Sequence, residues 1–387
     1  MLTGKNFIVF SDDWGRHPFS CQHLMRQFLP FNRALWVHTV GMRRPSLSLY
    51  DLRRSIQKLG SFIVRDEPVN LPDNLDTLSP VMFPFGNRLI RSFNRHSLLR
   101  TVRRRVAELG FKGPILLTTL PNAAEFLGEL NEKLIVYYCV DDFLRWPGVN
   151  RSLVEEMEER LLSRADLLVC SSSELATLKH RNGLNTKILP HGVDFDHFSR
   201  TACPQPGLVP ALEGLSRPRI GYFGLLGEWV DIQLLELLAS KNPGWSFVFM
   251  GSVIADTDRL RSLPNVLFTG PVPYERLPEY VSYLDVLILP YKTSGRGHSI
   301  TPLKLREYLA TGKPVVATAI PECKLYEKVV AIASSHKEFL TGVEQALAEG
   351  TSRALERRST VANETWRDRA EVMSSFISDS LAMKYEG

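Results

Sequence analysis

The chain predicts two α/β domains in tandem, each a doubly wound parallel sheet. Three observations lead there. At 387 residues it is too long for one ordinary core and suits two domains of somewhat under 200 residues each. Short β-branched or apolar runs alternate with longer amphipathic ones, the pattern of stacked βαβ units. That rhythm breaks between Arg200 and Arg217, a stretch bearing Pro and Gly without periodicity, and then starts again. The expected organisation is an N-terminal domain over 1–200, a linker over 201–217, a second domain over 218–364, and a final tract, 365–387, returning to the first domain.

In the first half the strand candidates are Phe7–Phe10, Ala34–His38, Phe62–Val64, Ile115–Thr118, Leu134–Tyr138, Leu167–Cys170 and Thr186–Leu189. Between them the spacing predicts helices at Cys21–Phe28, His96–Leu109, Ala123–Leu130, Val154–Arg164 and Ser173–Arg181. The stretch from Pro45 to Pro84 reads as an irregular excursion. The second half offers strands at Arg219–Phe223, Ser246–Met250, Val266–Thr269, Val286–Leu289, Val315–Thr318 and Val329–Ala333. Its helices are Ile232–Ser240, Leu277–Leu284, Pro302–Ala310 and Lys337–Ala348. In the last tract Trp366, Val372, Met373, Phe376 and Ile377 fall at near-helical spacing and form the expected buried stripe.

Composition excludes several classes. Apolar residues at 44% and charged residues at 23% rule against a fibre or a disordered chain. The five cysteines are odd in number and lack a C-x-x-C pair, as expected of reduced cytoplasmic thiols, and no metal site is expected. The apolar run Phe7–Phe10 is too short for a signal peptide, and no stretch reaches the eighteen apolar residues of a membrane span. A soluble or peripheral protein is expected. Arg88, Arg91, Arg95, Arg100, Arg103, Arg104 and Arg105 form a basic stretch without an acid among them. Such a run is either a solvated helix face or a surface for anionic lipid headgroups or a phosphorylated acceptor. No nucleic-acid reading motif accompanies it.

Parallel sheets bind ligands beyond the carboxyl ends of their strands. Two such domains therefore place the expected site in a central cleft. The most informative segment is Ser299-Ile300-Thr301-Pro302-Leu303-Lys304-Leu305-Arg306-Glu307-Tyr308-Leu309-Ala310-Thr311-Gly312-Lys313-Pro314. Thr301 suits an N-cap, Pro302 the first helical position and Gly312 the end. The free N–H groups of Leu303 and Lys304 would then seat a phosphate, and Glu307 would meet a ribose diol. An ordinary helix–Gly–strand connection would look the same locally.

This segment resembles the C-terminal signature of the retaining GT-B glycosyltransferases of family 4, in which two carboxylates are spaced E-x7-E. Its P-L-K-x-x-E-Y-L-A run is similar to the branch of teichuronic acid biosynthesis glycosyltransferases. Glu307 matches the second carboxylate, which the resemblance assigns to the donor ribose; Ser299 stands where the first would be. Leu189-Pro190-His191-Gly192-Val193-Asp194 with Phe198 looks like the family's N-G-V-D…F turn. Gly224 and Gly251 end strands as donor-side loops do, and Gly270 with Val272 matches the loop framing the nucleobase.

By the same resemblance, Asp141 or Asp142 stands beside the donor sugar in the catalytic position, although the pair also suits a turn. Asp13, Trp14 and Arg16 mark the acceptor-side loop. The family's cationic pair is missing at Gly227-Glu228-Trp229, which leaves Arg296 or His298, of which Arg296 is the better candidate, or Lys304, to neutralise the leaving diphosphate. The implied activity is metal-independent, cofactor-free transfer of a hexosyl-type sugar with retention. The donor is a nucleotide sugar, and the acceptor a glycan or lipid-linked glycan in surface polysaccharide synthesis. A non-catalytic sugar-nucleotide binder and a nucleotide-sugar 2-epimerase of the same architecture are the alternatives.

Overall fold

A computed structural model describes residues 1–15, 19–38, 71–80, 88–146, 148–200, 207–295 and 300–386. The strand expected at Phe62–Val64 lies outside them, as does Cys203. The chain forms two compact units. Met1–Pro190 together with Arg369–Gly387 make unit 1, and His191–Asp368 make unit 2.

Unit 1 holds a seven-stranded parallel sheet in the order β3-β2-β1-β4-β5-β6-β7. Its strands are β1 (Asn6–Ser11), β2 (Arg33–His38), β3 (Leu75–Leu78), β4 (Ile115–Thr118), β5 (Leu134–Cys139), β6 (Leu167–Cys170) and β7 (Asn185–Ile188). β1, β4, β5 and β6 are near-continuous apolar runs because helices cover both faces of a parallel sheet. Two core layers result, one on Phe7, Val9, Trp36, Leu117 and Val136, the other on Ile8, Phe10, Leu116 and Tyr137. The alternation within single strands follows the two-residue period of the pleat.

β3 falls in the stretch expected to be irregular. Of its Leu-Asp-Thr-Leu only Leu75 is buried, since β3 is an edge strand paired to β2 alone. An edge strand needs no apolar run, so pattern reading misses it. The helix expected at Ala123–Leu130 is only a 3-10 turn, Pro121–Glu125, although Ala123, Ala124, Phe126, Leu127 and Leu130 are buried as a helical stripe would be.

Unit 2 holds six parallel strands in the order β10-β9-β8-β11-β12-β13. They are β8 (Arg219–Phe223), β9 (Ser246–Met250), β10 (Val266–Gly270), β11 (Val286–Leu289), β12 (Val315–Thr318) and β13 (Ala331–Ala333). The order reverses between β8 and β11, which makes the carboxyl ends of those two strands the switch point of the sheet.

The division between units comes at Pro190, earlier than the expected linker. Residues before β8 belong to unit 2: Val193, Phe198, Val209 and Leu212 sit in its core. Val193 forms a parallel bridge with Thr365, donating its N–H to Glu364 O (2.9 Å). A Cβ on Gly192 would lie 2.8 Å from the Trp366 indole, so glycine is required there.

The final helix, Trp366–Glu386, buries Ala370, Met373 and Ile377 in the unit 1 core, with Phe376 packed against it. Trp366 is buried, but Val372, expected on the same stripe, is 38% exposed. Ala370 takes its place because the stripe follows i, i+3, i+7.

Candidate functional site

The switch point of unit 2 brings together groups from three strand ends and one helix. β8 ends at Gly224 (φ +120°), β9 at Gly251 (φ +141°) and β10 at Gly270 (φ +74°), backbone conformations that favour glycine. The three are tied in sequence: Gly224 N–H donates to Met250 O (2.7 Å) and Gly251 N–H to Gly270 O (2.8 Å). A Cβ on Gly251 would meet the Gly224 carbonyl oxygen at 2.2 Å, so bare backbone forms this floor. Val272 is half-buried against the unit 2 core.

The helix Leu303–Thr311 follows β11 and starts at the same edge. Its cap is Pro302, not Thr301; Pro302 has extended backbone (φ −74°, ψ 110°) and contributes no side-chain cap. Proline lacks an N–H, so the uncapped first turn leaves the Leu303 and Lys304 N–H groups directed out of the helix. Gly312 closes the far end in the left-handed conformation (φ +77°).

The Lys304 side chain folds back over β8. Its ammonium donates to Tyr222 Oη (2.9 Å) and sits 4.3 Å from the Tyr222 ring centroid. A Cβ on Gly224 would lie 2.2 Å from Lys304 Nζ, so that glycine makes room for the lysine. One ammonium proton is engaged by Tyr222 and two remain for a ligand. This places a cation at the strand end where Gly227-Glu228-Trp229 offers none.

One turn further along, Glu307 is 6% exposed. Its carboxyl accepts no hydrogen bond from a described residue. Burial pushes its pKa up to about 8, against the pull of Lys304 and with a smaller push from Asp194. A buried carboxyl without a donor costs free energy that a ligand hydroxyl pair would recover. Its neighbour Arg306 points the other way. It pairs with Glu322 (2.9 Å) and Glu364 (2.7 Å) and is held charged by Tyr326, Glu322 and Glu364 against the cost of its burial.

Arg296, His298 and Ser299 lie outside the described residues, and so does Arg16. In unit 1, Asp142 is buried and both its oxygens are engaged, by Lys179 (3.0 Å) and Arg145 (3.0 Å). Lys179 in turn pairs with Glu158 (2.8 Å), which accepts from Tyr137 Oη (2.8 Å). Asp141 accepts from the Asp142 N–H (2.8 Å) and from Trp146 Nε1 (2.9 Å). Both carboxylates thus have partners that hold the turn after β5. Trp14, expected to meet the acceptor, packs edge-on against Trp36 (4.8 Å) in the unit 1 core. Asp13 keeps a half-exposed position after β1, its carbonyl accepting from Gln22 (3.0 Å).

Four of the seven clustered arginines have acidic partners. Arg95 and Arg103 pair with Glu129, Arg104 with Glu108, and Arg105 with Asp76 and Glu108. The side chains of Arg88 and Arg91 lie outside the described residues, while Arg100 is exposed on the helix Arg88–Glu108. Sequence reading missed Tyr222 and Tyr291, which flank the Lys304 ammonium; as buried strand-end tyrosines they carry no local signal. Among the described residues no group of three His, Cys, Asp or Glu side chains is placed to hold a metal, and no helix is long and apolar enough to cross a membrane.

Residues 217–357 match the family model described as Glycosyl transferases group 1. A protein of Bacillus subtilis (strain 168) that carries the name of a teichuronic acid biosynthesis glycosyltransferase, TuaH, is 28% identical over 320 residues, covering 75% of this chain and 78% of that one. Sucrose-phosphate synthase from Thermosynechococcus elongatus matches the fold with a TM-score of 0.71 at 15% identity, over 98% of this chain and 100% of that one. HepE of Anabaena, solved in complex with UDP-glucose, matches with a TM-score of 0.67 at 12% identity, over 97% and 99% of the two chains. The architecture is GT-B.

Proposed function

We propose that the chain is a glycosyltransferase and that the switch point of unit 2, inside the stretch matched by the group 1 glycosyl transferase model, seats a nucleoside diphosphate sugar. The observation that carries this is Glu307, a buried carboxyl without a described hydrogen-bond donor, one turn from the uncapped helix N-terminus and in the field of Lys304. A ribose diol supplies the missing donors to Glu307. The diphosphate lies on the Leu303 and Lys304 N–H groups, where the positive end of the helix dipole favours anions. Gly224 and Gly251 let it approach bare backbone. Glucose bound as UDP-glucose in the Anabaena relative of the fold supports a donor of this class.

Transfer breaks the bond from the sugar's anomeric carbon to the diphosphate, and the departing oxygen gathers negative charge. The Lys304 ammonium, with two free protons, and the helix N–H groups stabilise that charge where it develops. Retention of configuration, independence of metal, and an acceptor that is a growing glycan or lipid-linked glycan belong to the same proposal; the named Bacillus relative supports the polysaccharide setting. Asp13, after the carboxyl end of β1, is the proposed acceptor contact.

Calorimetry with nucleoside diphosphate and with the bare nucleoside tests the placement. Above pH 8, where the carboxyl is ionised, a charged hydrogen bond is worth roughly 1.5–3 kcal/mol, so there Glu307→Ala should weaken both ligands about ten- to a hundred-fold. Lys304→Met should weaken the diphosphate by a similar factor and leave the nucleoside unchanged. Full-strength nucleotide binding by Glu307→Ala would remove the ribose from this site, and with it the reading of the helix.

A further inference from the structure

The Lys304 side chain is fixed at its root and at its tip. Four residues along the same helix, Tyr308 Oη accepts the Phe223 N–H (3.0 Å), and its ring packs edge-on against the Phe223 ring (4.7 Å). This docks the helix Leu303–Thr311 on the end of β8. It also fixes where Lys304 leaves the helix, because residues four apart share a helix face. The tip rests on Tyr222, a fully buried residue of β8, through the bond from Nζ to Oη (2.9 Å).

Tyr222 meets the ammonium in one sense only. Its own hydroxyl proton goes to the Leu225 carbonyl (3.0 Å), so its oxygen presents a lone pair to Lys304. Leu225 follows Gly224 in the turn leaving β8, and one hydroxyl therefore ties that turn to the lysine. The Tyr291 ring centroid stands 5.9 Å from the same nitrogen. Burial pushes the Tyr291 and Tyr308 hydroxyls well above their ordinary pKa, so both stay neutral. Lys304 makes no ion pair with a described residue. A carboxylate in the place of the Tyr222 hydroxyl would hold the lysine as firmly, but it would cancel the charge. Phenol oxygen and aromatic faces attract a cation and leave its charge in place.

We infer that Tyr222 is a positioning residue: its hydroxyl orients the Lys304 ammonium toward the diphosphate without neutralising it. The inference rests on the seat proposed above for the diphosphate. A lysine tip free to rotate would lose that freedom when an anion bound, whereas a tip oriented beforehand does not. The same orientation is present as the leaving oxygen gathers charge, so no rearrangement is needed at that moment.

The full chain is titrated calorimetrically with UDP, GDP and dTDP, and the tightest of them is carried through with its own nucleoside. Wild type, Tyr222→Phe, Lys304→Met and the double variant then form a cycle that isolates the coupling of the two side chains. Phenylalanine keeps the ring beside the ammonium and removes only the acceptor oxygen. Tyr222→Phe should weaken the diphosphate about five- to ten-fold, with the loss confined to the diphosphate and absent for the nucleoside. In the Lys304→Met background the same substitution should change affinity less than about two-fold, because the hydroxyl acts through the lysine. An equal loss with and without Lys304 would mean that Tyr222 only shapes the turn at Leu225, and would overturn the inference. Full-strength binding by Tyr222→Phe beside a weakened Lys304→Met would overturn it too, while leaving the diphosphate seat standing. Indifference to Lys304→Met, or a wild type that binds none of the three, would remove the seat and the inference together. Thermal melts check that each variant is folded, and one further measurement needs no variant of Tyr222. In the ligand-free wild type the Lys304 ammonium, assigned in proton–nitrogen NMR by its loss in Lys304→Met, should exchange with water more slowly than exposed lysines. Exchange at their rate would show a tip that nothing holds, and the inference would fall.

Discussion

Glu307 ties stability, and the ligand binding proposed for it, to the same proton. In the folded chain its carboxyl titrates near 8, whereas the unfolded chain ionises it near its ordinary value of 4.5, because burial without a donor penalises the charged form. Below both values it is neutral in either state and costs nothing. As pH rises from 4.5 toward 8 the unfolded chain loses the proton while the fold retains it, so stability declines, by about 1.4 kcal/mol per pH unit at most. Above 8 the cost is constant. Glu307→Gln keeps the shape and removes the titration, so its stability advantage over wild type should grow between pH 5 and pH 8 in urea melts and then level off. A difference that stays flat across this range would mean that the carboxyl is not desolvated. The places of Lys304 and Glu307 one turn apart on a helix, and of Gly224, Gly251 and Gly270 at strand ends, were legible in the sequence because each depends on local pattern alone. Asp142 was not legible in the same way: its partner Lys179 lies 37 residues away, and only the packed fold reveals the carboxylate as half of a buried ion pair.

The helix Leu303–Thr311 presents Glu307 and Lys304 in a fixed orientation because Arg306, between them, anchors it from behind. Arg306 is almost wholly buried and spans Glu322 and Glu364, while Glu364 also accepts from Tyr326 Oη (2.7 Å). Successive residues leave a helix about 100° apart, so an anchored Arg306 sets the directions of both neighbours. Arg306→Met should destabilise unit 2 by about 3–5 kcal/mol, since it strands two carboxylates that remain partly or fully buried. Arg306→Lys should recover little, because a single ammonium cannot match the two-sided reach of a guanidinium. Thermal melts of the three proteins check this, and near-wild-type stability of Arg306→Lys would show that one carboxylate suffices. Elements were legible where apolar runs are long or helix ends are punctuated, as at Gly312. They were illegible where an edge position removes the need for burial, as with β3, and where Pro302 itself takes the cap that a threonine seemed suited to fill.

At the scale of the whole molecule, the chain's last helix belongs mostly to the unit in which the chain began. It leaves unit 2 after Asp368, and from Arg369 onward it completes the unit 1 core with Ala370, Met373 and Ile377, all fully buried. Polar contacts fix its register: Leu2 N–H donates to Ser374 Oγ (3.1 Å), Asn185 Nδ2 to Ser380 Oγ (3.0 Å) and Lys384 Nζ to Asp166 (2.7 Å). The amphipathic stripe in the sequence marks this tract as a packed helix, but which surface it covers depends on contacts more than 180 residues distant, and only the fold supplies them. Burying one Met or Ile side chain is worth roughly 1.5–3 kcal/mol, so removing both, with Ala370 and the half-buried Phe376, forfeits a sum comparable to the ~5–15 kcal/mol net stability of a typical domain. Truncation at Arg369 should therefore unfold or strongly destabilise unit 1, exposing its amides to hydrogen exchange, while unit 2, which retains its own core, keeps its protection and the nucleotide binding proposed for it. Met373→Ala with Ile377→Ala is the companion that leaves the helix in place, and it should lower unit 1 stability by about 4–10 kcal/mol. Unchanged exchange in β1, β4 and β5 after truncation would show that unit 1 closes its core without the returning helix, and the two units would then have to be regarded as independent of the chain's end.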